Sequence, residues 1–188
     1  MIPNFMHPRQ NGKFRTRSYD YEVQEFLLPV RKSLIYISLI AAVLINLMPF
    51  DKVILVLRPD FVALVLLYWN IYQPQQVGMS IAFVSGLFMD VIDISIMGQH
   101  AVAYCLITFF ALLLHRRLRL FNAFQQIPAV LWILLSGQAV AFLARVLAGT
   151  YIPEWYVFLS SVIGALCWPL LSFLLGSFCK QRIDRDEV

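Results

Sequence analysis

Asp90 and Asp93 stand three residues apart inside an apolar run, so a helix through them presents both carboxyls on one face. An ionisable side chain in a membrane-type segment costs roughly 2.5–3.5 kcal/mol at the helix centre on insertion scales, which makes such residues the first candidates for function. Arg58 and Asp60 head a second apolar run, Gln99 and His100 head a third, and Arg145 lies near the end of a fourth. The chemistry open to this set is limited. An aspartyl hydrolase needs two carboxylates facing each other so that they share a proton, whereas Asp90 and Asp93 belong to one helix, with Asp60 as the further candidate. His7, His100 and His115 are scattered over the tail and two membrane faces, which gives no metal-ligand cluster, and no glycine-rich phosphate loop is present. No catalytic residue, metal or cofactor is therefore expected. Three readings remain for the polar cluster Arg58, Asp60, Asp90, Asp93, Gln99, His100 and Arg145. Asp90 or Asp93 could pair with Arg145 or Arg58 and fix helix packing, the cluster could form a partner-docking surface, or a carboxylate beside a histidine could line a proton or solute pathway.

The elements that position these residues follow from composition. Of 188 residues, 60% are apolar and 14% charged, against about 45–50% and about 25% in soluble domains. An all-α integral membrane protein is the fold class this composition requires. Runs long enough to cross a bilayer, roughly 17–25 residues, are expected near Ser33–Met48, Val53–Tyr72, Val77–Ile94, Gly98–Leu114, Ile127–Leu147 and Trp155–Phe178. The second is interrupted at Arg58-Pro59-Asp60. Residues 1–32 form a basic cytoplasmic tail, 33–178 a six-helix membrane domain, and 179–188 a short cytoplasmic tail. No small-residue cleavage site follows the first run, which is read as a retained helix.

Orientation follows from lysine and arginine, which are enriched in short cytoplasmic loops. Six spans place twelve of the fifteen basic residues on the side of both termini, including Arg116, Arg117 and Arg119; Lys52, Arg58 and Arg145 are the exceptions. Both termini are expected on the cytoplasmic side of an inner-membrane-type protein. Arg116-Arg117-Leu118-Arg119 reads as a basic turn, a topology signal or a contact to anionic membrane lipid rather than a nucleic-acid site. Phe50, Trp155 and Tyr156 on one face, and Phe121 and Phe124 on the other, suit membrane interfaces. Gly78, Gly86, Gly98 and Gly164 are expected at close helix contacts, with Trp168 beside a kink at Pro169. Cys105, Cys167 and Cys179 suggest no disulfide framework.

Several short segments occur in an order and spacing that resembles the bacterial rod shape-determining protein family MreD. They are Leu47-Met48-Pro49, Arg58-Pro59-Asp60-Phe61, Leu66-Leu67-Tyr68-Trp69, Val77-Gly78, Gly86 through Val91, Gly98-Gln99-His100-Ala101, the Arg116–Arg119 turn, Gln125-Gln126 and Leu166-Cys167-Trp168-Pro169. The resemblance implies a non-enzymatic integral subunit of the cell-elongation (rod) complex. Its partners would be the bitopic protein MreC and, through the complex, MreB filaments, RodA and a class B penicillin-binding transpeptidase that build lateral-wall peptidoglycan. It further implies six helices arranged like the substrate-binding subunits of energy-coupling-factor transporters. Arg58, Asp60, Gly86, Asp90, Gly98, Gln99 and His100 match the family's pattern and carry over as structural or partner-contact positions. The basic tail is longer than the family's, and Asp93 is outside its motif. The alternative is the substrate-binding subunit of a small-solute transporter, with Asp90, Asp93 and His100 around a cavity.

Overall fold

The apolar runs fold into six helices: α1 Lys32–Leu47, α2 Phe61–Tyr72, α3 Met79–Ile92, α4 Gln99–Leu118, α5 Ala123–Leu147 and α6 Leu159–Asp186. The computed structural model describes residues 32–48, 58–93, 96–149 and 158–186, with side chains to 178. No strand occurs among the described residues. Three helices are long and apolar enough to cross a membrane (α4, α5, and α6 as far as Phe178), and three are shorter and apolar. Consecutive helices alternate in direction, as their end-to-end contacts require. Asn46, Asp60, Asp90, His100 and Tyr104 meet at one end, while Ile71, Tyr72, Leu118, Arg119 and Gln126 meet at the other. These are called the acidic end and the basic end below.

Burial is distributed as lipid solvent requires. The long helices turn Trp132, Leu113 and Phe173 outward at 67–76% exposure, a surface suited to acyl chains. The core instead gathers on α2, where every residue from Val62 to Ile71 is buried. Helix α2 is apolar on all sides because protein surrounds it: α1, α4 and α6 all pack against it. Ring contacts and indole hydrogen bonds fix these neighbours. The Trp69 Nε1–H donates to Ser38 Oγ of α1 at 2.8 Å, and Tyr68 lies 6.3 Å, centroid to centroid, from Trp168 of α6.

Helix boundaries depart from expectation where caps decide them. Expected from Val53, α2 starts at Phe61, because Pro59 and the capping Asp60 precede it; positions 53–57 lie outside the described residues. The basic turn is not a loop: Arg116 and Arg117 close the last turn of α4. Helix α5 starts at Ala123 and includes Pro128. Helix α6 continues through Pro169 and past Phe178 to Asp186. The interfacial rings expected at Phe50, Trp155 and Tyr156 lie outside the described residues, whereas Phe121 and Phe124 are exposed at the basic end. Cys105 and Cys167 are free thiols.

Candidate functional site

Twelve residues at 1.5 Å each give α2 a rise of about 18 Å, well short of a hydrocarbon layer roughly 30 Å thick. Its terminal N–H and C=O groups therefore need partners from the protein, and side chains of other helices supply several of them. At the acidic end, Asp60 Oδ1 accepts from the N–H of Val62 at 3.0 Å and of Ala63 at 3.1 Å. Asn46 of α1 completes the cap. Its Nδ2 donates to Asp60 Oδ1 at 3.0 Å, and its Oδ1 accepts from the Phe61 N–H at 3.3 Å. The Tyr104 hydroxyl of α4 donates to Asp60 Oδ2 at 2.6 Å.

Asp90 does the same for a different helix. The N-cap of α4 is Gly98, which has φ 97° and no side chain to cap with; glycine tolerates this left-handed conformation without strain. Asp90 of α3 stands in for the missing cap. Its Oδ2 accepts from Gly98 N–H at 2.8 Å and Ala101 N–H at 3.4 Å, and its Oδ1 accepts from His100 N–H at 2.8 Å. His100 Nδ1 lies 2.8 Å from the same Oδ1, within hydrogen-bonding distance. One turn before Asp90, Gly86 makes the approach possible: a Cβ there would collide with the backbone N and Cα of Ala101. The two sequence motifs, Gly86 to Asp90 and Gly98 to Ala101, are thus the two halves of one joint.

The remaining polar positions sort around this joint. Arg145 Nε donates to Gln99 Oε1 at 3.1 Å, and Arg58 Nη1 donates to the Met48 carbonyl at 3.3 Å. Among the described residues the close acid–base contact is to His100, whose Nε2 lies 3.9 Å from Asp93 Oδ2. Asp93 sits just beyond α3 and is 39% exposed.

Of the glycines expected at helix contacts, Gly86 meets backbone, and a Cβ on Gly164 would come within 3.2 Å of Leu134 Cδ1. Gly78 has nothing within 4 Å of such a Cβ and caps α3 instead. Gly98 likewise has open space around it and acts through its positive φ. A Cβ on Gly137, a position not singled out from sequence, would stand 2.6 Å from Ile107 Cδ1.

The basic end carries contacts that sequence reasoning missed. Arg119, read as a topology signal, donates from Nε to the Ile71 carbonyl at 2.7 Å and from Nη2 to the Tyr72 carbonyl at 2.6 Å. Gln73 is the C-cap of α2, its N–H donating to the Trp69 carbonyl, and Arg119 covers the last two carbonyls, a cation at the negative end of the helix dipole. Burial lowers the Arg119 pKa, with Tyr72 acting the other way. Gln126 Nε2 donates to the Leu118 and Phe121 carbonyls at 2.8 and 2.9 Å, and its Oε1 accepts from Trp168 Nε1–H at 2.8 Å. The available signal was the Gln125-Gln126 pair at the head of an apolar helix, since such amides hydrogen-bond across helices.

Between α2, α4, α5 and α6 at the acidic end lies a cavity of about 90 Å³. Asp60, His100 and Arg145 reach it, together with Tyr104, Gln138, Ser160 and Ser161; Asp90 and Asp93 do not line it. Gln138 Nε2 donates to Ser160 Oγ at 2.7 Å. Gln138 Oε1 and Ser161 Oγ are buried without a hydrogen-bond partner, as are Gln99 Nε2 and, elsewhere, Asn70 Oδ1 and Gln76 Oε1. Among the described residues no group of three or more histidine, cysteine or carboxylate side chains is placed to hold a metal ion.

Six apolar helices, a protein-buried short helix and outward-facing large apolar side chains define a polytopic all-α membrane protein. Residues 29–178 match the family model for rod shape-determining protein MreD. A curated relative, the rod shape-determining protein MreD of Haemophilus influenzae, is 28% identical over 147 residues, covering 77% of this chain and 88% of that protein. The chain belongs to the MreD family, and with it to the rod-shape-determining proteins of the inner membrane. No solved structure matches the chain, so the likeness to energy-coupling-factor subunits rests on the family resemblance alone.

Proposed function

We propose that this chain is a non-enzymatic scaffold subunit of the bacterial cell-elongation complex, which binds the single membrane helix of MreC and thereby helps position lateral-wall peptidoglycan synthases. One observation carries this reading: an apolar groove of about 590 Å³ between α1 and α3. Its walls are Tyr36, Ile40 and Leu44 of α1 and Ser80, Val84, Ser85 and Phe88 of α3, with Val62 of α2 as floor. Its concavity suits a helix, and the two serines leave room for a close backbone approach. The acidic end supports a scaffold in another way. Asp60 and Asp90 spend most of their hydrogen-bonding capacity on helix termini, which favours a stiff frame over a moving proton relay. Arg58 and Asp93, at the same end, remain accessible for contact with the part of MreC adjoining its helix. RodA, the transpeptidase and MreB filaments would be reached through the complex. The basic end faces the cytoplasm in this reading, in keeping with Arg116, Arg117 and Arg119 clustered there.

The test is affinity purification of a C-terminally tagged copy from native membranes, with mass spectrometry of what accompanies it. MreC is expected with the wild-type chain and is expected to be lost from Val84→Trp and Leu44→Trp, which fill the groove from either wall. Retention of MreC by both variants, each still eluting as a monodisperse protein, would overturn the groove as its seat. Recovery of an ATPase and a coupling subunit in place of MreC would make the chain a transporter's binding subunit.

A further inference from the structure

We infer that the basic end carries a binding surface for anionic phospholipid headgroups, built on Arg116 and Arg117 and separate from the groove of the scaffold reading. The three arginines of the basic turn have two different fates. Arg119 is committed to the carbonyls of Ile71 and Tyr72. Arg116 and Arg117, in the last turn of α4, are exposed and make no hydrogen bond or ion pair among the described residues. Closing α2 therefore accounts for one arginine and leaves two without a partner inside the protein. Among the described side chains no carboxyl stands near them, since Asp60, Asp90 and Asp93 are all at the acidic end. Lys32, the first residue of α1, adds a third exposed cation at the basic end, at the opposite end of its helix from Asn46.

The neighbouring side chains select the partner. Leu120, Phe121 and Phe124 are 85%, 49% and 74% exposed, and they follow the arginines directly, in the turn after α4 and the first turn of α5. A soluble anion would leave these large apolar groups in water. A lipid serves both kinds of side chain. The rings reach the boundary between acyl chains and headgroups, while each guanidinium offers a planar fork of donors to phosphate oxygens. The surface is continuous with the lipid-facing side of α4, because Leu113, one turn before Arg117, is 67% exposed. Exposed arginines at this level lie within the short reach of an anionic leaflet's potential. A role confined to setting orientation during insertion needs no bound lipid afterwards, so binding to the purified chain separates the two.

The experiment uses the full chain, purified in detergent and depleted of lipid. Native mass spectrometry follows its titration with phosphatidylglycerol and with phosphatidylcholine carrying the same acyl chains. Phosphatidylglycerol is expected to bind about fivefold or more tightly, and Arg116→Gln/Arg117→Gln to bring the two affinities together. Arg116→Lys/Arg117→Lys keeps the charge without the fork of donors and is expected to retain part of the preference. Phosphatidylcholine binding is the control for folding, because a variant that fails to fold loses both lipids. In that event Arg116→Gln and Arg117→Gln are compared singly, each expected to lower the preference. Equal affinity of the wild-type chain for the two lipids overturns the proposal. So does a preference that survives unchanged in the glutamine variants, which would assign it to other basic residues. Full displacement of phosphatidylglycerol by millimolar glycerol phosphate would also overturn it, making this a site for soluble phosphate. Val84→Trp and Leu44→Trp, which fill the groove, are expected to leave the preference unchanged, so failure of the groove as MreC's seat and failure of this surface are read separately.

Discussion

The acidic and basic ends of the bundle meet one physical demand with opposite chemistry. Helices α2 and α4 run in the same direction, so their N–H groups emerge at one end and the carbonyls of α2 at the other. At the N-terminal end the unpaired groups are donors, and Asp60 and Asp90 accept from them. At the C-terminal end of α2 the unpaired groups are acceptors, and Arg119 donates to them. Charge thus follows helix polarity, negative at positive dipole ends and positive at negative ones. The two ends differ in how the partners are supplied. The acidic end draws on three other helices, with Asn46, Asp90 and Tyr104 converging there, and borders the polar cavity. At the basic end one arginine closes α2, and one glutamine ties the α4–α5 turn to α6. Hydrogen bonding between helices is therefore concentrated at the acidic end.

Changes at the joint of α3 and α4 should be the most damaging. Asp90→Ala strips the acceptor from three backbone N–H groups and the His100 ring, at an expected cost of about 3 kcal/mol or more, read as a fall in thermal midpoint in detergent. Gly86→Ala should cost about as much, near 3 kcal/mol, because the new Cβ meets backbone that cannot rotate away. Arg119→Met tests the opposite end. A loss of about 2 kcal/mol is expected, partly recovered by Arg119→Lys, which keeps the charge but not the fork of donors. If Arg119→Met proved more damaging than Asp90→Ala, the greater weight given to the acidic end would be wrong. Tyr104→Phe removes one hydrogen bond to a carboxylate and should cost about 1.5 kcal/mol by the same assay, without altering helix content by circular dichroism. Asp93→Asn closes the series. Its carboxyl is 39% exposed and lies 3.9 Å from His100 Nε2, so neutralising it should change stability by no more than about 0.5 kcal/mol.

Much of this protein could be read from its residues one segment at a time. Apolar composition and six apolar runs determine an all-α membrane protein, because a chain with so little polar surface cannot satisfy its backbone in lipid except within helices. The Asp60 cap is also local, since a cap acts on N–H groups two and three residues ahead. Gly86, Asp90, Gly98, Gln99 and His100 could be recognised as special by their order in the chain. Their meaning could not. That Asp90 caps a helix not its own, that Arg119 closes α2 from 47 and 48 residues away, and that Gln138 and Ser161 meet across a cavity depend on the register between helices. Periodicity records which face of a helix is apolar; it does not record which turn of a neighbour lies opposite. That register is decided when side chains interlock around α2, so the capped frame and its cavity exist only in the tertiary structure.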